Sequence, residues 1–363
     1  EYRDNTIELK RPAIIASGDS RLELAGRVPL EKSSSEGTLT IRGEIDLEQA
    51  AGFLPPQRQL AAAGKMYLNV ALSGAMDFLA AAGVITVQNG RLQHAGLPVP
   101  LTGIEIRSAI EGGALTLQRA EASFGEAAIS ARGELPFGLL PGNLPVQFYR
   151  KQGPAQLVLD VDNLRPEATE MLPEGISGLL SLHAEGEAKS FDLEGIRATA
   201  AFQDLRFKAN QIEIAQQGAS TIVLQDGVAS VARFTLTGTG TNIDITGSFG
   251  LLPGSPVDLR LAGDFNAGLL TFVDQNLKAA GRTDVRVVVG GTREDLKFAG
   301  IAEMNGGRVT LVSPRLVADS LTVRLSLTPE QLTLQELKGT LNGGSVTAEG
   351  TVASKRSTFD DFD

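Results

Sequence analysis

The residue types that most often carry out chemistry are scarce in this chain. Its 363 residues contain two histidines, His94 and His183, and no cysteine. Zinc sites, Cys–His nucleophiles and iron–sulfur clusters all draw on those two side chains, so their chemistry is excluded or nearly so. His183 sits in Leu182-His183-Ala184 and points away from the side that Leu182 takes, which reads as a solvent-facing strand residue. His94 precedes Gly96 and reads as part of a hairpin. No credible Ser–His–Asp set forms around either ring. Asp160-Val161-Asp162-Asn163 has the carboxylate spacing of a calcium loop but lacks its glycine and terminal glutamate, so it reads as a strand end. Gly238-Thr239-Gly240-Thr241-Asn242 resembles a phosphate-cradling loop, yet no lysine and no strand–helix unit follow, and a hairpin turn accounts for it. Asp264 and Asp274 flank a candidate short helix, where capping or solvation explains them. The reading is of no enzyme, no metal and no cofactor.

With reactive groups absent, function must lie in the elements themselves. Apolar residues make up 42% and charged residues 21%, a globular composition. The net charge is −10, so a nucleic acid is a poor partner: phosphate binding needs a basic stripe. The 41 glycines exceed ordinary usage and belong in turns, bulges and close backbone contacts. No run of 18 apolar residues is present, so no membrane-spanning helix is expected. The chain opens on Glu1 without a signal-peptide pattern, and its last ten residues, Ser354 to Asp363, lose all periodicity; the whole reads as a segment of something longer, ending in a frayed tail. The lack of cysteine fits an oxidising compartment.

Period two dominates everything else. Leu22 and Leu24, Leu39 and Ile41, Leu68 and Val70, Leu157, Leu159 and Val161, and Val285, Val287 and Val289 each alternate with residues that are mostly polar. Alternation puts one apolar and one wet face on each strand, the mark of antiparallel sheet. Turn signals recur every 8–12 residues: Asn89-Gly90, Glu111-Gly112-Gly113, Asp226-Gly227, Asn305-Gly306-Gly307 and Asn342-Gly343-Gly344. About twenty strands joined largely by hairpins are expected. Three stretches break the beat, Leu47 to Ala63, Arg165 to Leu172 and Asn266 to Asn276, and each is read as a short helix lying over a sheet.

Aligning those breaks exposes a repeat. Phe53-Leu54-Pro55, Met171-Leu172-Pro173 and Phe272-Val273-Asp274 match, followed by Gly64, Gly178 and Gly281. The pairs Gly74/Gly83, Gly186/Gly195 and Gly291/Gly300 share an internal spacing of nine and lie 112 and 105 residues apart. Gly26, Gly133, Gly247 and Gly350 form a further series, as bends or bulges in a twisted sheet require. About three copies of a unit of ~105 residues are expected, stacked in one dimension. The chain divides accordingly into a partial first repeat (1–63), a second (64–172), a third (173–280), a partial fourth (281–353) and the tail (354–363).

This arrangement, clearest from Ala279 to Val352 with Gly281-Arg282-Thr283-Asp284-Val285-Arg286-Val287-Val288-Val289-Gly290-Gly291-Thr292, Asn305-Gly306-Gly307 and Leu341-Asn342-Gly343-Gly344, resembles the TamB family and the related AsmA-like envelope proteins. The resemblance covers most of the chain and is one of spacing. It implies an all-β fold with a few short helices, a long twisted antiparallel sheet curled into a U-shaped hydrophobic groove. It also implies placement in the periplasm of a cell envelope, anchored to the inner membrane in the full-length protein. The activity implied is movement of phospholipids between inner and outer membranes, with phospholipid acyl chains, the two membranes and an outer-membrane barrel-assembly protein as partners.

The alternating aliphatics are the expected groove lining. In the first half these are Val70, Leu72, Ile85, Val87, Ile104, Ile106, Leu115, Leu117, Ile129, Leu135, Leu157 and Leu159. Leu180, Leu182, Ile212, Ile214, Ile222, Leu224, Phe234, Leu236, Ile243, Ile245, Leu259 and Leu261 continue the set. Val285, Val287, Val289, Val309, Leu311, Val323, Leu325, Leu332, Leu334 and Val346 complete it. The same alternation also suits the inner faces of an ordinary β-sandwich. A scaffold that assists outer-membrane β-barrel assembly through exposed strand edges, and a passive repeat protein with a sealed core, are the competing functions.

Overall fold

The structure, a computed structural model, describes residues 2–3, 6–30, 37–52, 60–75, 78–140, 148–169, 175–209, 212–272 and 276–353. These hold 23 strands, and every strand pairing is antiparallel, as alternation of apolar and polar residues requires. The chain packs as two compact units. One comprises Glu1–Thr169 with His183–Gly195, the other Glu170–Leu182 with Ile196–Asp363. The expected divisions at 63/64 and 280/281 lie inside one strand (Leu60–Ala75) and between two others (Leu277–Ala280 and Arg282–Thr292).

Unit one is a meander. β1 (Tyr2–Arg3), β2 (Thr6–Ser17), β3 (Ser20–Pro29) and β4 (Thr38–Asp46) pair in turn, and then the chain enters α1 (Leu47–Ala51). Asp46 caps this helix, its Oδ1 accepting from the backbone N–H groups of Glu48 and Gln49 at 3.0 Å each. β5 (Leu60–Ala75), β6 (Phe78–His94), β7 (Leu101–Glu111), β8 (Ala114–Phe124), β9 (Ala127–Pro136) and β10 (Ala155–Leu164) follow, each paired with the one before. A 3-10 turn at Pro166–Thr169 precedes β11 (Ile176–Ala188), whose residues from His183 onward belong to this unit.

Unit two repeats the scheme. β12 (Ile196–Ala209) pairs with two collinear short strands, β13 (Ile212–Gln216) and β14 (Ser220–Gln225), and both pair with β15 (Val228–Gly238). β16 (Thr241–Gly250) and β17 (Val257–Asn266) lead to a 3-10 turn at Ala267–Phe272. β18 (Leu277–Ala280) and β19 (Arg282–Thr292) then share one partner, β20 (Asp295–Leu311), before β21 (Leu316–Leu327), β22 (Gln331–Leu341) and β23 (Gly344–Ala353).

The copying is close. Adding 217 to the bounds of β6, β8 and β9 gives those of β20, β22 and β23. The same shift turns β5 into β18 and β19 together. A tight backbone crossing recurs with it. A Cβ on Gly64 would lie 2.8 Å from Gly90 Cα, and one on Gly281 would lie 2.9 Å from Gly307 Cα. Both Gly64 (φ +112°) and Gly281 (φ +131°) have backbones that an L side chain rarely adopts.

Several expectations are corrected by these elements. Asn89-Gly90 and Asn305-Gly306-Gly307 are not hairpin turns but lie inside β6 and β20, where register shifts mark bulges. Asn89 (φ +50°) and Gly306 (φ +71°) supply the left-handed backbone that a bulge needs as much as a turn does. The first short helix ends at Ala51, and 60–63 is already strand. Asp264 caps nothing; it lies in β17 and forms an ion pair with Arg282. His94 does stand in a hairpin, at the end of β6 before the turn to β7, its Nδ1 accepting from Gly96 N–H at 3.0 Å. Phe53-Leu54-Pro55, Met171-Leu172-Pro173, Val273-Asp274 and the tail 354–363 fall outside the described residues.

The strand ends in unit one carry a strap. Tyr149 N–H donates to Leu79 O at 2.7 Å, Lys151 N–H to Gly113 O at 3.1 Å and Phe137 N–H to Gly113 O at 2.8 Å. Rings of Phe78 and Tyr149 meet edge to face at 6.0 Å, as do those of Phe137 and Phe148 at 6.4 Å. Under this strap Leu79 is 1% exposed. In unit two, Ala267 in the 3-10 turn packs with Met304 and Leu321 over the Gly281–Gly307 crossing, with Ala279, Val309, Ala318 and Val323 around them.

Candidate functional site: one apolar sheet face in each unit

Because paired residues directly opposite one another share a face, strand register decides what each face displays. In unit one a row runs Ile41, Val70, Gly83, Ile110, Leu115, Leu135. The next runs Leu68, Ile85, Ser108, Leu117, Gly133, Leu157, and a third Met66, Val87, Ile106, Ala120, Ala131, Leu159. Leu72, opposite Leu39 and Ala81, extends the face at one margin. Ile104 and Ile129 stand on it beyond the bulges. The single hydroxyl in these rows, Ser108, is buried and donates to Ile85 O at 3.1 Å, so it adds no free polarity.

Unit two repeats the pattern. One row reads Ile222, Val231, Gly247, Leu259, Val289, Phe298; another reads Phe234, Ile245, Leu261, Val287, Gly300, Leu327, Leu332, Val352. A third joins Leu236, Ile243, Gly263, Val285, Ala302, Leu325 and Leu334. Leu224, Ile212, Ile214, Val309, Leu311, Val323 and Val346 share this face at its margins. Leu180 and Leu182, half-buried on β11, alternate with His183, whose Nδ1 lies 2.6 Å from Asp160 Oδ1 on the wet side.

Sequence alternation alone missed Met66, Ile110, Val231, Met304 and Leu321. Each adjoins a bulge or a glycine crossing that breaks the simple beat. The glycines across from them, such as Gly83 opposite Ile110 and Gly307 opposite Leu321, were the signal available.

The opposite face is charged. Arg324 bridges Glu303 at 3.0 Å and Glu336 at 3.3 Å, Arg233 holds Asp244 at 2.6 Å, and Asp264 pairs with Arg282. The hydrogen bond from Arg282 keeps the Asp264 carboxyl below the usual range; Arg233 and then Thr235 do so for Asp244, and Lys338 with Arg324 for Glu336. Exposed pairs of this kind contribute little each. Their effect is to keep one side wet.

Burial separates an open face from a sealed core. Of the expected lining residues only Val70, Phe234 and Val285 are buried, at 8% exposure each. Leu157 is 49% exposed, and the others are half-buried. A sandwich interior would bury most of them.

Among the described residues no group of three or more potential metal ligands converges, and no helix is long and apolar enough to cross a membrane. No protein-family model matches this sequence, and no curated protein matches it.

Proposed function

We propose that this protein is a segment of a lipid conduit of the cell envelope, holding phospholipid acyl chains along the apolar face of its sheets and letting them pass between membranes. The observation that carries this reading is the half-buried state of row upon row of Leu, Ile and Val. Rows on neighbouring strands lie about 4.8 Å apart, so aliphatic surface is nearly uninterrupted within each unit. Each CH₂ removed from water contributes about 0.8 kcal/mol, and an acyl chain in water therefore costs roughly ten kcal/mol or more. A uniform aliphatic face offsets that cost at every point without creating a deep well, which transport requires and storage does not. Charged side chains on the other face keep the sheet in solution.

Val287 and Val288 are adjacent in β19 and face opposite ways; Val287 stands opposite Leu261 and Gly300, whereas Val288 is 42% exposed on the wet face. Val287→Asp should cut co-purifying phospholipid, measured by mass spectrometry, and transfer of a fluorescent phosphatidylethanolamine between vesicles at least fivefold. Val288→Asp should leave both near the parent level. Equal behaviour of the two variants would refute the lining role. A parent protein that carries no lipid but captures a barrel-assembly protein would favour a scaffold instead.

A further inference from the structure

Arg91 and Arg308 hold equivalent places 217 residues apart, in β6 and β20, each just past the bulge. Arg308 is satisfied within the chain: its Nε lies 2.5 Å from Asp319 Oδ1 on β21. In unit one Thr102 on β7 takes the place of Asp319, and among the described residues Arg91 has no carboxylate partner. Arg91 instead lines a cavity of about 400 Å³ beside α1, together with Glu48, Ala61, Ala62, Ala63 and Gln93. That volume suits a small ligand. Register shows what leaves the space open. Ala61 stands opposite Gln93 and Ala63 opposite Arg91, both small, whereas in unit two Lys278 takes the place of Ala61.

The polar groups around this space are of opposite kinds. Glu48 is exposed and, among the described residues, forms no ion pair with Arg91 or with any other cation. Gln93 Nε2 donates to His94 O at 3.3 Å and to Leu97 O at 3.2 Å, which leaves its Oε1 to accept. A guanidinium binds phosphate oxygens in pairs, and a carboxylate with a carboxamide oxygen accepts hydrogen bonds from an ammonium. A simple anion would meet like charge at Glu48; a ligand with a phosphate and an ammonium two carbons apart satisfies both ends. Ala62 joins the cavity to the apolar face, because it stands opposite Leu92, which pairs with Leu101 beyond the bulge.

We propose that this cavity binds a phosphoethanolamine group, its phosphate on Arg91 and its ammonium on Glu48 and Gln93 Oε1. As the headgroup site of a passenger phospholipid it rests on the conduit reading; as a site for the soluble group it does not.

Two probes on the whole protein test this. One is glycerophosphoethanolamine, its binding followed by ligand-observed NMR. The other is an equimolar mixture of dipalmitoyl phosphatidylethanolamine and dipalmitoyl phosphatidylglycerol, the lipid taken up being counted by mass spectrometry. Arg91 and Glu48 are exposed, so their substitution leaves the fold intact. Arg91→Gln should weaken binding of the soluble compound at least fivefold. Thr102→Asp, which rebuilds the ion pair of unit two, should do the same. The parent should take up the ethanolamine lipid at least threefold over the glycerol lipid, and Glu48→Gln should bring that ratio to about one with total lipid unchanged. Arg91-dependent binding of the soluble compound by a protein that carries no lipid would support the cavity, assign it to the free group and overturn the conduit. Lipid uptake without headgroup preference, and without binding of the soluble compound, would overturn the cavity and leave the conduit standing. Binding that survives both Arg91→Gln and Thr102→Asp would overturn the cavity as well.

Discussion

Residues 78–136 and 295–353 build the same strands 217 residues apart, yet their ends are secured by different means. In unit one the strap closes over the β5–β6 end with backbone hydrogen bonds to Leu79 and Gly113 and with aromatic rings. The corresponding positions in unit two are Leu296, which is half-buried, and Glu330; Asp295 replaces Phe78. There the β19–β20 end is tied by charged side chains. Arg293 Nη1 donates to Leu251 O at 2.9 Å, and Glu294 Oε2 accepts from Gly254 N–H at 3.1 Å. One sheet pattern thus tolerates a dry closure and a wet one. Strand pairing sets the scaffold, and local chemistry decides how firmly each end is held.

Substitutions at equivalent positions should break the symmetry in a fixed order. Leu79→Ala empties a fully covered site and should destabilise by about 3 kcal/mol, whereas Leu296→Ala should cost about 1 kcal/mol because that side chain keeps part of its exposure. Hydrogen exchange read strand by strand should show protection in β5 and β6 falling about a hundredfold in the first variant, and in β19 and β20 about tenfold or less in the second. Equal losses would mean that the strap contributes no burial of its own. Next comes Gly133→Val against Gly350→Val. The first forces a side chain into Gln156 O and should cost about 2 kcal/mol, with β9–β10 protection reporting it. The second meets nothing among the described residues and should stay within about 0.5 kcal/mol.

The smallest effect is electrostatic. Lowered carboxyl groups concentrate in unit two: Asp204 beside Arg206, Asp244 beside Arg233, Asp264 beside Arg282, Glu294 at Gly254 N–H, and Glu336 beside Lys338. A depressed folded-state pKa stabilises above the unfolded value, near 4, and that contribution is lost as pH falls through the folded value. Exchange protection, corrected for intrinsic rates, should therefore weaken more in β16–β19 than in β5–β8 as the pH falls from about 5 to about 2. Asp264→Asn together with Asp244→Asn should narrow the gap. Solvent screening keeps the shift small.

Much of this was legible from residue order. Strict alternation, as in Val285, Val287 and Val289, can only put three side chains on one face. What could not be read is where parity flips. Asn89-Gly90 and Asn342-Gly343-Gly344 offer the same left-handed backbone, but the first bulges within β6 while the second turns between β22 and β23. The choice depends on whether Gly64 approaches from the neighbouring strand, a contact 26 residues away in sequence. The strap was equally hidden: Phe148 and Tyr149 obey no period, and Leu79 and Gly113, which the strap reaches, are far off in the chain. Capping or solvation both suited Asp264 in the sequence because the Arg282 that holds it lies in another strand.

One consequence follows from a sheet in which nearly every strand bonds to the one made just before it. Such a molecule can close as it emerges during synthesis, each new hairpin templated on a finished edge, with little entropy spent on distant encounters. By the same logic a whole block of strands could be gained or lost in evolution without disturbing those on either side, so the number of strands is a heritable variable that point mutation need not touch.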